Sequence, residues 1–286
     1  MSPEISQHLS QRIRTFSEFV TKPEATNFDD SQLWDSLSAR NQQFLSPVRQ
    51  EFRLHNACLD QVHRWQSHPY ASQLGSVGDT DYEHVIGMIE ISHQLKDSGL
   101  SSFNFDDIEM KMIFHDSGKI ITDDMSVIHT STLDTIIKEA KQVEPHCFIR
   151  LVLNQIKKTQ PNIYQSIKES YLTYENRDQN SCDAESHLVK VIDAIQGNNF
   201  GISHIYSPTI LSSQNEFSPS PFQLVSSSIE TENKLLSKIL TSPKISDKDR
   251  QILTQFLLDH QLVNYGSTNS PYRQIYLSHH FEPASF

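Results

Sequence analysis

The segment Ile113-Phe114-His115-Asp116-Ser117-Gly118-Lys119-Ile120 limits this chain more than any other, because it ends an apolar helical run on two side chains that apolar surroundings do not tolerate unpaired. A histidine followed at once by an aspartate can give two ligands to one cation. Two more helical runs carry the same kind of intrusion. In Asp81-Tyr82-Glu83-His84-Val85-Ile86-Gly87-Met88-Ile89-Glu90-Ile91, His84 falls in the first turn, and Val85, Met88, Ile89 and Ile91 form the buried side. In His187-Leu188-Val189-Lys190-Val191-Ile192-Asp193-Ala194-Ile195, Asp193 occupies a face expected to carry Val or Leu. His84, His115, Asp116 and Asp193 make two imidazoles and two carboxylates, a set suited to Mn, Co, Zn or Fe rather than to a thiolate site. The alternative for any one of them is a helix cap or an ordinary histidine among the chain's 14.

The surrounding pattern favours helices. Only 8 of 286 residues are glycine, and no stretch alternates apolar and polar residues for long, so an all-α fold is expected. Residues 3 to 21 read as an amphipathic helix on Ile5, Leu9, Ile13, Phe16 and Val20, closed by Pro23, and a short helix follows from Ser31. Pro47 should open a helix running to Arg64-Trp65, and Gln66 to Thr80 should be an irregular loop. Helices are then expected at 82–95 and 106–117, with Gly118 turning the backbone out of the second. Further helices are placed at 133–141, 145–158, 161–171 and from Asp183. After a Ser- and Pro-rich connection (206–221), helices at 222–240 and 246–262 should form an antiparallel pair, with Ser246 and Asp249 as a capping box.

Three separated cysteines, Cys58, Cys147 and Cys182, give neither a disulfide framework nor a CxxC site, and read as small buried side chains in a reducing compartment. A net charge of −11 argues against extended nucleic-acid binding, though a metal and a few local cations can still hold one phosphate. No apolar run reaches membrane-spanning length and no signal-type leader opens the sequence, so a cytoplasmic protein without a membrane partner is the expectation.

At these residues the chain resembles the HD-domain phosphohydrolases, and within them the bacterial 5'-deoxynucleotidases. His63-Arg64-Trp65 before Tyr82-Glu83-His84 resembles the family's Arg-Trp segment, and Ile121-Thr122-Asp123-Asp124 its segment after the His-Asp pair. Leu188 to Ala194 resembles its final ligand helix. The likeness covers roughly Val62 to Phe200. It implies an HD-domain helical bundle at 47–203; outside it, the residue pattern alone gives N-terminal helices at 1–46, a lid and packing layer or a dimerisation element, and a C-terminal helical pair at 204–286. It also implies one divalent ion (Mn, Co, Mg or Zn) on His84, His115, Asp116 and Asp193, and a small nucleotide substrate, foremost a (deoxy)nucleoside 5'-monophosphate. Arg64 would clamp its phosphate, Trp65 would press on the sugar, and Asp124 would assist the leaving oxygen.

One position departs from that family. Where the nucleotidases carry a glutamate three residues after the aspartate of the pair, this chain has Lys119, which can grip phosphate but cannot act as a base while protonated. The His-Asp-x-Gly-Lys form is seen in branches that act on diesters or dinucleoside polyphosphates, often with two metals. His129, His146 and His187 are the candidates for extra ligands. Phosphodiesterase or polyphosphate hydrolase activity, and a nucleotide-binding regulatory module without turnover, are therefore the alternatives to a monophosphatase.

Overall fold

The computed structural model describes residues 3–64, 79–122, 142–176, 183–200 and 221–279. The fold is all-α: every element longer than a single β-bridge, His63 with Thr80, is helical among these residues. Prolines open several of them, with Pro23, Pro161 and Pro221 at the first helical position, where a missing N–H costs nothing. The chain divides into two compact units, Met1–Ile89 with Glu109–Asn176, and Glu90–Ile108 with Arg177–Phe286. Two of the three boundaries fall inside helices, Asp81–Asp97 and Phe105–Phe114, and the third follows the helix Pro161–Glu175.

In the first unit, the core is built from Leu33, Leu45, Val48, Phe52, Leu59, Ile113, Phe114, Phe148 and Ile167, all buried. Phe52 is central to it: its ring lies 5.8 Å from Trp34 and 6.4 Å from Phe114, centroid to centroid. Phe52→Ala would remove this packing and leave a cavity that rigid helices cannot close, so a loss of about 3–5 kcal/mol is expected in urea unfolding. The N-terminal helix Pro3–Phe19 buries Leu9 and lies against the short helix Lys119–Thr122. His8 Nε2 donates to the Thr122 carbonyl at 3.1 Å, and Arg12 Nη2 reaches the Ile120 carbonyl at 3.5 Å. This is a packing layer over the segment that follows the His-Asp pair.

The helix expected to run from Pro47 to Arg64-Trp65 is shorter. It is a 3-10 turn, Ser46–Val48, leading into Arg49–Leu59. Beyond it the chain pairs with the residues before His84: Arg64 N donates to Asp79 O at 2.8 Å, and Asp81 N to Val62 O at 2.9 Å. A helix could not supply these bonds, and they bring Arg64 beside the start of the His84 helix. Gly118 is also needed for a reason other than the expected one. Its backbone is not in the left-handed region, where Gly99 with φ 88° stands, but a Cβ on it would meet the Glu144 Cβ at 2.6 Å. Close approach of another segment, rather than a turn, requires glycine there.

In the second unit, the helices Ala184–Phe200, Pro221–Leu240 and Asp247–Gln261 pack through Leu188, Ile192, Ile195, Val225, Ile229, Leu236, Leu253 and Leu257. The expected pair is present, and Ser246 caps its second member by accepting from Asp249 N at 3.1 Å. Asp249 does not complete a reciprocal box. Burial alone would raise its pKa, but hydrogen bonds from Ser102, Ser101 and Ser246 outweigh it and hold the carboxyl below the usual range. A π-helical turn at Leu262–Gly266 and a helix at Arg273–Ser278 extend the pair, beyond what the pattern predicts. Among the described residues no helix is long and apolar enough to cross a membrane. The helix expected at 133–141 and nearly all of the Ser- and Pro-rich connection lie outside the described residues, as does Cys182.

Candidate metal centre

His84 stands in the first turn of its helix because Thr80 precedes it as a cap. Thr80 Oγ1 accepts from Glu83 N at 3.1 Å, Glu83 Oε2 accepts in return from Thr80 N at 3.0 Å, and His84 N donates to Thr80 O. The imidazole of His84 is fully buried. His115 follows the last residue of the Phe105–Phe114 helix, in a turn over residues 115–118. Its ring lies 5.3 Å from that of His84, and Tyr174 meets it edge-on at 5.9 Å. The helix end itself orients His115: Nδ1 donates to the Met112 carbonyl at 2.7 Å. That bond places a proton on Nδ1, the arrangement by which metal-ligating histidines are held.

Asp116 and Lys119 form the polar edge of this cluster. Lys119 Nζ donates to Asp116 Oδ2 at 2.7 Å and lies 3.9 Å from Asp81 Oδ1, while Asp116 Oδ2 is 3.1 Å from His115 Nε2. The lysine is 18% exposed and Asp116 17%, so both border solvent, whereas Asp81 is fully buried. Asp116 thus sits beside His115 and is engaged by an ammonium one turn ahead. In the second unit, Asp193 is buried on the Ala184–Phe200 helix and ion-paired with Lys190. His84 and His115 are thus two buried imidazoles side by side in the first unit, and Asp193 is a buried carboxylate of the second.

Of the remaining expected residues, Arg64 is half-buried beside the His63–Thr80 bridge, and Trp65, Asp124 and His129 lie outside the described residues. His146 is exposed, and His187 donates through Nδ1 to the Asp183 carbonyl at 2.9 Å. Neither joins a second group of metal-type donors among the described residues. Cys58 is buried, and burial pushes its thiol up to about 12, so it behaves as the small apolar side chain expected of it. Sequence reasoning missed Tyr174, whose only signal was its place on the inner face of the Pro161–Glu175 helix with Ile163, Ile167 and Tyr171. It also missed His55, which is buried with its pKa lowered to about 4, chiefly by burial.

Comparison with protein-family models, with curated proteins and with solved structures found no match.

Proposed function

We propose that this chain is a metal-dependent phosphohydrolase of the HD type that releases phosphate from a small nucleotide, foremost a nucleoside 5'-monophosphate. The observation that carries the reading is the His84–His115 imidazole pair, buried beside the solvent-edged Asp116–Lys119 ion pair. Asp193 is the third ligand that the sequence pattern and the family resemblance imply; two imidazoles and a carboxylate suit a borderline divalent ion. Such an ion would polarise a phosphoryl oxygen and make hydroxide available near neutral pH.

The chain's own residues supply the rest. Lys119 exchanges part of its contact with Asp116 for a phosphate oxygen, and Asp116, released by that exchange, holds a proton or completes the ligand set. Arg64, beside the start of the His84 helix, is the second phosphate donor, with the two-pronged geometry suited to it. Trp65 and Asp124 keep the roles that the family resemblance implies. Lys119 in the family glutamate's position also favours a second reading, a diester or polyphosphate substrate, which two ions per chain would support.

The test is phosphate release from deoxy- and ribonucleoside mono- and triphosphates, with protein stripped and reloaded with Mn, Co, Mg or Zn. Turnover of monophosphates that depends on added metal is the expected result. Metal bound without phosphate release from any of them would sink the nucleotidase reading and turn attention to cyclic and dinucleotide substrates.

A further inference from the structure

Behind the His115–Asp116 turn lies a buried chain of hydrogen bonds that the proposed chemistry does not use. Ser117 is fully buried, and its Oγ lies 2.8 Å from His55 Nε2. His55 Nδ1 lies 3.2 Å from Asn56 Oδ1, and Asn56 Nδ2 donates to Asp30 Oδ2 at 2.9 Å. Asp30 accepts two more bonds from Arg49, at 2.5 and 2.6 Å. Each link fixes the direction of the next. Arg49 can only donate, so Asp30 accepts; Asn56 spends its amide N–H there and turns its oxygen to His55. His55 must then carry its proton on Nδ1, which leaves Nε2 to accept from the Ser117 hydroxyl. Burial keeps the ring neutral, consistent with a single proton.

We infer that His55 and Ser117 are positioning residues for the His115–Asp116 turn: they fix the residue next to Asp116, and through it the ligand geometry. The inference rests on the proposed metal reading. A buried Ser–His bond contributes only about 1 kcal/mol to stability, and an apolar pair of the same shape would fill the space as well. A directed chain of this length specifies a position. The turn is also held by backbone bonds, Ser117 N to Phe114 O at 3.1 Å and Lys119 N to Asp116 O at 2.9 Å, by His115 Nδ1 on the Met112 carbonyl and by the partly exposed Lys119–Asp116 pair. These leave the Ser117 side chain itself to His55.

The experiment titrates Co²⁺ into the full chain, following affinity and the visible d–d spectrum, with a thermal melt for each variant. Ser117→Ala and His55→Phe are expected to fold and to bind Co²⁺ about tenfold or more weakly, as losing a supporting partner of a ligand does, with altered bands. His55→Gln keeps an acceptor near the position of Nε2 and should restore wild-type affinity and spectrum. Wild-type affinity and spectrum in Ser117→Ala would overturn the inference, as would equal losses in the Gln and Phe variants. A wild-type chain that takes up no Co²⁺ fails the metal reading instead, whatever the variants do.

Discussion

His115→Ala is expected to weaken divalent-metal binding by at least about 100-fold, the upper end of what losing even a supporting residue costs, and to abolish metal-dependent phosphate release. The imidazole is held on both sides, by the Met112 carbonyl at Nδ1 and by the His84 and Tyr174 rings. Lys119→Met should give the opposite split. Removing the ammonium frees Asp116 from its 2.7 Å partner, so metal affinity is kept or raised, while phosphate release falls because the substrate loses a cation. Isothermal titration with Mn²⁺ and steady-state phosphate release separate the two roles. Unchanged metal uptake in His115→Ala would remove the imidazole pair from the site. Equal losses of metal affinity in both variants would mean that Lys119 only holds the turn together.

The contrast between these two residues shows which parts of the site can be read along the chain. His84, His115 and Asp193 stand out because each is a polar donor in an apolar helical run, a local conflict that one-dimensional periodicity exposes. The structure buries all three. The partnership of Lys119 with Asp116 is an i, i+3 contact that the sequence reading passes over, because it sets the lysine against the glutamate of the nucleotidases it resembles rather than against its neighbour. Contacts set by chain reversal carry no local signature at all. His55 and Ser117 are 62 residues apart, and nothing in Arg53-Leu54-His55-Asn56 marks that histidine as more than one face of a helix. Gly118 is a similar case: glycine is legible as a need for space or for unusual φ, but only Glu144 against its α-carbon says which. The starts at Ser31, Pro161 and Ser246 are local chemistry and stand where the sequence places them, whereas the helix expected from Pro145 is already formed at residue 142 and passes through a π-helical turn at Phe148–Val152. The Arg49–Leu59 helix ends before the expected Arg64-Trp65 because pairing with residues 79–81 overrides the intrinsic preference to continue.

His55 also makes stability depend on acid. Its ring packs against Phe52, Phe114 and Phe148, its nitrogens meet Asn56 and Ser117, and Glu51 lines the same small cavity, with Asp30 beyond Asn56. Neither carboxylate contacts the ring directly, so burial dominates, and the folded-state pKa falls from 6.5 to about 4. Between those values the unfolded chain binds a proton that the folded chain refuses. Stability therefore rises with pH across this window: the contribution is complete above pH 6.5 and is lost as pH falls toward 4. From pH 7 to 4.5 the loss assignable to this one ring is about 2 kcal/mol by linkage. In urea unfolding at the two pH values, His55→Gln should be less acid-sensitive than the wild type by that amount, because glutamine has nothing to protonate. Carboxylates titrating over the same range affect both proteins alike and cancel in the difference. Parallel pH dependences would mean that the ring is charged, or reached by water, in the folded state. In that event the directed chain from Asp30 to Ser117 could not run as described, since a doubly protonated imidazole would donate to the Ser117 hydroxyl rather than accept from it.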